Sequence, residues 1–265
     1  MRPSRPAASP VDMERAAEGG TMFGYVEWSE ARKSRRSVTA EERIIGGVRF
    51  CAVSVYRGRG RQAERHRRCG RAARLLRRAG VGRVVLPPGA PEECFVHRGI
   101  RPVSDLGLRR EVAAELTSFA MAQQGIQPGG ATVAVTADRL SAEVIRTVTA
   151  LCRRCRYLLL QVPYGGEAFC REMRRTQGVS IRLDPTAEQL EQADILVCFA
   201  PPRTPPARGK LCLPLYAGAE DAFTWSAAVP GQGGEESRTA LLAALWEVGA
   251  LRPECLEVRS VTFRA

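Results

Sequence analysis

Lysine is nearly absent from this 265-residue chain. Only Lys33 and Lys210 occur, so all but two of its 40 basic residues are arginine. The two side chains are not equivalent at bidentate or stacked sites, yet no single chemistry also removes lysine from every surface. A GC-rich coding sequence accounts for the bias, because arginine and alanine codons are GC-rich and lysine codons are not. The net charge of +12 is physical whatever its origin, and it favours an anionic small molecule or a polyanion as partner. Histidine is as scarce, with His66 and His97 alone, which leaves little for a zinc site. No apolar run approaches membrane-spanning length and no signal peptide is visible, so no membrane association is expected.

Cysteine is present, but not in a disulfide pattern. Cys51, Cys69, Cys94, Cys152, Cys155, Cys170, Cys198, Cys212 and Cys255 make an odd count, and several lie inside apolar segments. That is the usage of a small reduced hydrophobe, and it leads to the expectation of a reducing, cytoplasmic compartment. Cys152-Arg153-Arg154-Cys155 is a C-x-x-C, but at a helix end. Zinc needs a second pair or histidines, and a redox motif belongs at a helix start, where the dipole lowers the thiol pKa. The pair reads as buried thiols, and no metal is expected.

Apolar residues make up 45% of the chain, enough for a substantial core. Residues 1–43 are rich in Arg, Ser, Pro and Ala and read as a disordered tail. Glu18-Gly19-Gly20-Thr21-Met22 can be encoded by a ribosome-binding sequence followed by a start codon, so Met22 is an alternative start. Residues 44–124 read as a smaller βαβ lobe. It has a strand at Val48–Tyr56, a helix over Gln62–Ala79, a strand at Val84–Leu86, a short helix near Glu92–Val96 and a long helix over Leu108–Gln124. Residues 125–202 alternate strand and helix: Thr132–Thr136, Leu140–Cys155, Tyr157–Val162, Glu167–Thr176, Val179–Leu183, Ala187–Gln192 and Ile195–Phe199. This alternation predicts an α/β fold with a parallel sheet covered on both faces. Residues 203–265 read as a Pro-rich linker and a C-terminal segment packing back on the core. That segment holds a strand at Leu211–Tyr216, a glycine-rich turn at Gly231–Gly234, a helix over Glu235–Val248 and a last strand at Leu256–Phe263.

Ala193-Asp194-Ile195-Leu196-Val197-Cys198-Phe199-Ala200-Pro201 carries an "AD-apolar-apolar-apolar" signature. Through it, residues 108–202 resemble the nucleotide-binding domain of the shikimate dehydrogenase and glutamyl-tRNA reductase type. The resemblance implies a Rossmann-like domain with a glycine-rich loop after the first strand, where backbone N–H groups approach the pyrophosphate. This chain departs there. It has Thr136-Ala137-Asp138-Arg139-Leu140-Ser141, with no glycine and with a carboxylate that repels phosphate. The strand ending Gln161-Val162-Pro163 offers no acid for a ribose and no arginine for a 2′-phosphate, and the turn Tyr164-Gly165-Gly166 offers only close backbone approach. The expectation is a degenerate cofactor turn at Thr136, Ala137, Asp138, Arg139 and Ser141, with no cofactor.

Arg57-Gly58-Arg59-Gly60-Arg61 is the one anion-binding candidate. Gly58-Arg59-Gly60-Arg61-Gln62-Ala63 matches G-x-G-x-x-A between a strand and a helix, although no acid closes the following strand. The alternative is an arginine-rich surface turn. The helix behind it carries Arg65, Arg67, Arg68, Arg71, Arg74, Arg77 and Arg78 against Glu64, a pattern that can lie along phosphates. No aromatic residue is interleaved for base stacking, so a solvated crossover helix is the competing interpretation. Clustered arginines would mark a polyanion-binding face, and scattered ones a genomic bias. Arg43-Ile44-Ile45-Gly46-Gly47 has the look of an activated protease N-terminus, but the protease's histidine and serine motifs are absent. No catalytic constellation is found. The leading expectation is a non-catalytic Rossmann-like binding protein on a dehydrogenase-type scaffold. The alternatives are an enzyme or sensor binding a phosphorylated small molecule near Gly58–Arg61, and a basic nucleic-acid-associated protein.

Overall fold

The computed structural model describes residues 22–30, 38–58, 62–202, 210–219, 222–229 and 239–263. They fall into two compact units, one reaching Ser104 and including Ala240–Leu251, the other formed by Asp105–Thr239 and the segment from Arg252.

The first unit is a mixed five-stranded sheet with β1 (Phe23–Ser29), β2 (Val38–Ile45), β3 (Val48–Tyr56), β4 (Arg83–Val85) and β5 (Arg101–Pro102) in the order β2-β3-β1-β4-β5. Only the β2–β3 pair is antiparallel. Its two-residue hairpin is Gly46-Gly47, with φ of 57° and 80°, the left-handed backbone that a tight primed turn requires. The apparent protease N-terminus is therefore a hairpin. Helix α1 (Gln62–Arg78) follows β3 and lays Cys69, Ala72, Ala73 and Leu76 on Val26, Val53, Val55 and Val84. A short helix, α2 (Glu93–Val96), adds Cys94 and Phe95 to that core.

One expectation is corrected here. The part of the expected tail that lies among the described residues forms β1 and β2, and β1 is central in the sheet with Phe23, Gly24, Tyr25 and Val26 all buried. The strand pairs with partners 27 and 60 residues away, a non-local stabilisation that composition does not report. Residues 1–21 lie outside the described residues. The crossover from β3 through α1 joins two parallel strands, with β1 lying between them.

The second unit begins with α3 (Leu106–Glu111) and α4 (Ala113–Gln123), where the sequence predicts one helix. The break falls at Val112 (φ −98°, ψ 22°), with neither Gly nor Pro to mark it. Then come β6 (Thr132–Thr136), α5 (Ala142–Cys152), β7 (Tyr157–Gln161), α6 (Gly166–Gln177), β8 (Ile181–Leu183), α7 (Ala187–Gln192), β9 (Ile195–Cys198) and β10 (Leu211–Pro214). The five strands form an all-parallel sheet in the order β10-β9-β6-β7-β8. The first strand sits in the middle and the order reverses between β6 and β9, as in half of a doubly wound nucleotide-binding sheet. Asp194 of the signature explains its own place: its carboxylate accepts the Thr132 N–H at 2.7 Å, pinning the start of β6 beside β9. The segment after the Pro-rich stretch is partly sheet too, since β10 is its fifth strand. β11 (Phe223–Ala228) and β12 (Glu257–Phe263) make a separate antiparallel pair.

Helix α8 (Thr239–Glu247) belongs to the first unit almost throughout. Leu245 lies so close to Gly46 that a Cβ there would meet it at 3.2 Å, and Glu247 pairs with Arg83. The described residues contain no helix long and apolar enough to cross a membrane.

Candidate functional site

In an open parallel sheet, ligands bind outside the carboxyl ends of the strands where the order reverses. Here that place lies above β6 and β9, whose last residues Thr136 and Cys198 are register partners. The turn Thr136–Ser141 leads from it into α5. Thr136 is buried, Ala137 and Ser141 are half-buried, and Asp138 and Arg139 are exposed. Two N–H groups of the turn are used within the chain: Ala137 donates to the Gln161 carbonyl at 3.0 Å and Ser141 to the Arg139 carbonyl at 3.0 Å. The first free N–H groups of α5 are also partly met, because the Ser141 hydroxyl accepts from Val144 at 3.4 Å.

Nothing in the sequence signals what fills the crevice. Arg110, from α3, donates through Nε to the Leu215 carbonyl at 2.7 Å and through Nη2 to the Phe199 carbonyl at 3.3 Å. These carbonyls lie one residue beyond the ends of β10 and β9. The same guanidinium lies 3.7 Å from Glu143 in the first turn of α5. A diphosphate at this place needs free N–H donors and backbone close enough to touch it. It meets instead two carboxylates, Asp138 and Glu143, a turn with side chains throughout, and an arginine already engaged.

Gly166, at the start of α6, is equally committed to the chain's own packing. A Cβ there would overlap Leu183 and meet Val162 at 2.9 Å.

Two thiols lie under the crevice. Cys198 is fully buried, and its Sγ is 3.8 Å from that of Cys212 on β10. The hydrogen bond with Cys212 holds the Cys198 thiol below its ordinary range against the opposing effect of burial, while Cys212 is pushed up by the same bond and by burial. The C-x-x-C thiols are different. Cys152 and Cys155 are both buried and both pushed up by burial, Cys152 to about 11. They remain protonated, unreactive thiols at neutral pH.

A buried polar cluster sits near the start of this unit. Asp105 and Arg109, 8% and 7% exposed, are paired at 2.9 Å. The Trp225 indole donates to the other Asp105 oxygen at 2.7 Å, and the Arg109 guanidinium stacks 4.6 Å from the Phe223 ring centre. Each charge is met on several sides, as burial requires. The cluster ties α3 to β11.

Of the anion candidate in the first unit, Arg57 and Gly58 are described, whereas Arg59, Gly60 and Arg61 lie outside the described residues. Gly58 has φ of 52°, and a Cβ on it would meet both Arg68 Nη1 and the Tyr56 ring at 2.9 Å. Arg68 donates to the carbonyls of Tyr56 and Arg57 at 2.9 and 3.2 Å and stacks on Tyr56. The chain's own guanidinium thus packs against this glycine. Arg57 reaches Glu30 at 3.9 Å.

No family model matches this chain, and no curated protein matches it. Solved structures are similar only at a distance. L-tryptophan dehydrogenase from Nostoc punctiforme is 13% identical with a TM-score of 0.29, over 68% of this chain and 56% of that one. This chain therefore spans little more than half of that protein. Shikimate 5-dehydrogenase from Listeria monocytogenes, solved with shikimate and NAD, is 10% identical with a TM-score of 0.27, over 69% of each chain. The catalytic subunit of M. jannaschii aspartate transcarbamoylase is 12% identical with a TM-score of 0.31, over 78% and 79%. Likenesses this remote assign no activity.

Proposed function

We propose that this protein is a non-catalytic binding protein on a Rossmann-like scaffold, with the dinucleotide crevice closed by its own side chains. The observation that carries the reading is Arg110, which bridges the Phe199 and Leu215 carbonyls and faces Glu143 where a diphosphate would lie. The glycine-free turn and Asp138 act in the same direction. A scaffold does not bring an activity with it, and no nucleophile, base and orienting group converge among the residues of the crevice.

The alternative, a phosphorylated small molecule held near Gly58–Arg61, is less well supported. Arg68 occupies the space beside Gly58 that a ligand's oxygens would need. Calorimetric titration with NADH and NADPH tests the main reading. No saturable heat is expected. A micromolar Kd that disappears with a bulky residue at Ala137 contradicts it.

A further inference from the structure

We infer that the outward face of α1 is a docking surface for the phosphate backbone of duplex nucleic acid. This names a partner for the binding protein proposed above, and it stands on a different observation from the closed crevice.

Arg67, Arg71, Arg74 and Arg78 recur at i, i+4, i+7 and i+11, and all four are exposed. At 100° per residue they fall within about 60° of arc, and at 1.5 Å per residue they run about 16 Å along the helix. The arc lies opposite the face that buries Cys69, Ala72, Ala73 and Leu76. Arg77 flanks it, and Arg98, from the segment after α2, reaches to 3.8 Å from a Cβ on Gly70 beside it. The only acid in the helix, Glu64, is taken by Arg68 at 2.9 Å. Glu93 lies on the His66 side, held at 3.0 Å. None of the four stripe arginines forms an ion pair among the described residues.

In the second unit Arg110, Arg146, Arg154 and Arg175 are each met by a glutamate, and exposed arginines outside those pairs, such as Arg153, Arg171, Arg174 and Arg182, form no row of four on one helix face. A coding bias supplies arginine but does not align it. Like charges three and four residues apart repel, at a few tenths of a kcal/mol per pair. The stripe sustains this repulsion three times over without a local counter-charge. A polyanion removes it, and arginine is suited to phosphate oxygens.

The chemistry of the face selects the polyanion. A protein partner needs apolar or aromatic anchors at the interface core, and the exposed outward positions here offer only Ala63 and Glu64 besides arginine. A membrane holds a helix firmly when a free apolar face adds to the attraction between its cations and anionic lipid, and the apolar face of α1 is spent in the core. Single strands need stacking aromatics, and α1 has none. Duplex phosphates, spaced every ~3.4 Å of axis along each strand, need a row of cations and nothing else.

The test uses fluorescence anisotropy with labelled duplex DNA and duplex RNA of mixed sequence, which also separates the two sources of phosphate. The full chain is compared with a stripe variant (Arg67→Gln, Arg71→Gln, Arg74→Gln, Arg78→Gln) and a control variant of equal net charge (Arg153→Gln, Arg171→Gln, Arg174→Gln, Arg182→Gln). The parent should bind a duplex, and the stripe variant should lose on the order of 10- to 100-fold in affinity. Its salt slope should fall by about 3 to 4, near one for each phosphate no longer neutralised. The control variant should stay within about threefold of the parent, because these four arginines come from three separate segments and form no single row along a strand of phosphates. Arginine-to-lysine changes at the four stripe positions should keep the salt slope and the fold, which separates a charge effect from misfolding. Equal loss in the stripe and control variants, no duplex binding by the parent at low salt, or tighter binding to polyglutamate or anionic vesicles than to duplex each overturns the assignment. None of these results bears on the crevice, which the cofactor titration reads separately.

Discussion

The Arg110 guanidinium donates to the Leu215 carbonyl at 2.7 Å across 105 residues of sequence. With its second bond, to the Phe199 carbonyl, the same side chain joins the chain just beyond β9 and β10. Its consequence is structural as well as functional. Replacing Arg110 by Met should destabilise the fold by about 1–3 kcal/mol, since two carbonyls lose a charged donor. Lysine should recover only part of this, because one ammonium does not reproduce a planar fork directed at two oxygens. Urea unfolding midpoints measure both effects.

The Asp105–Arg109 pair makes a sharper prediction, because both partners are buried. Asp105→Ala removes the carboxylate and leaves a buried cation without its counter-charge, at a cost of about 3–5 kcal/mol. Trp225→Phe removes one hydrogen bond to the same carboxylate and keeps an aromatic ring, so about 1–3 kcal/mol is expected. A smaller loss for Asp105→Ala than for Trp225→Phe contradicts the cluster as described.

Burial holds Cys69 near 12 and Cys152 near 11, against 9.0 for an ordinary thiol. Between these values the folded chain keeps protons that the unfolded chain has released. The contribution to stability is therefore full below pH 9 and is lost as the pH rises through the folded values. Stability should fall between pH 9 and pH 11, and Cys69→Ala should flatten that fall relative to the parent. Equal slopes in the two proteins would show that the thiol does not titrate as its burial requires.

The periodic parts of this fold were readable in the sequence, and the parts made by distant partners were not. β6, β7 and β9 show as apolar runs, and α5 and α7 carry their N-caps in Ser141 and Thr186. The parallel sheet follows from their alternation. β1 hid inside Arg- and Ser-rich surroundings because its burial depends on β3 and β4 on either side. In the crevice, the missing glycine and Asp138 were visible in one short segment. Arg110 was not, because one arginine among 38 gives no local sign that it will reach Phe199 and Leu215. The Cys198–Cys212 contact was hidden for a similar reason, since it depends on β10 joining the sheet beside β9. The arginine stripe was half legible: its spacing was present in the sequence, but its isolation from acids needed the fold.

If the crevice above β6 and β9 is closed to a dinucleotide, hydrogen exchange of backbone amides across residues 137–144, with and without saturating NADPH, tests it most directly. Exchange reads this turn itself, and phosphate bound elsewhere, on the α1 arginines for instance, does not confuse it. A closed crevice predicts the same exchange rates in this segment with and without the cofactor. Protection of these amides by NADPH, lost with a bulky residue at Ala137, would contradict it.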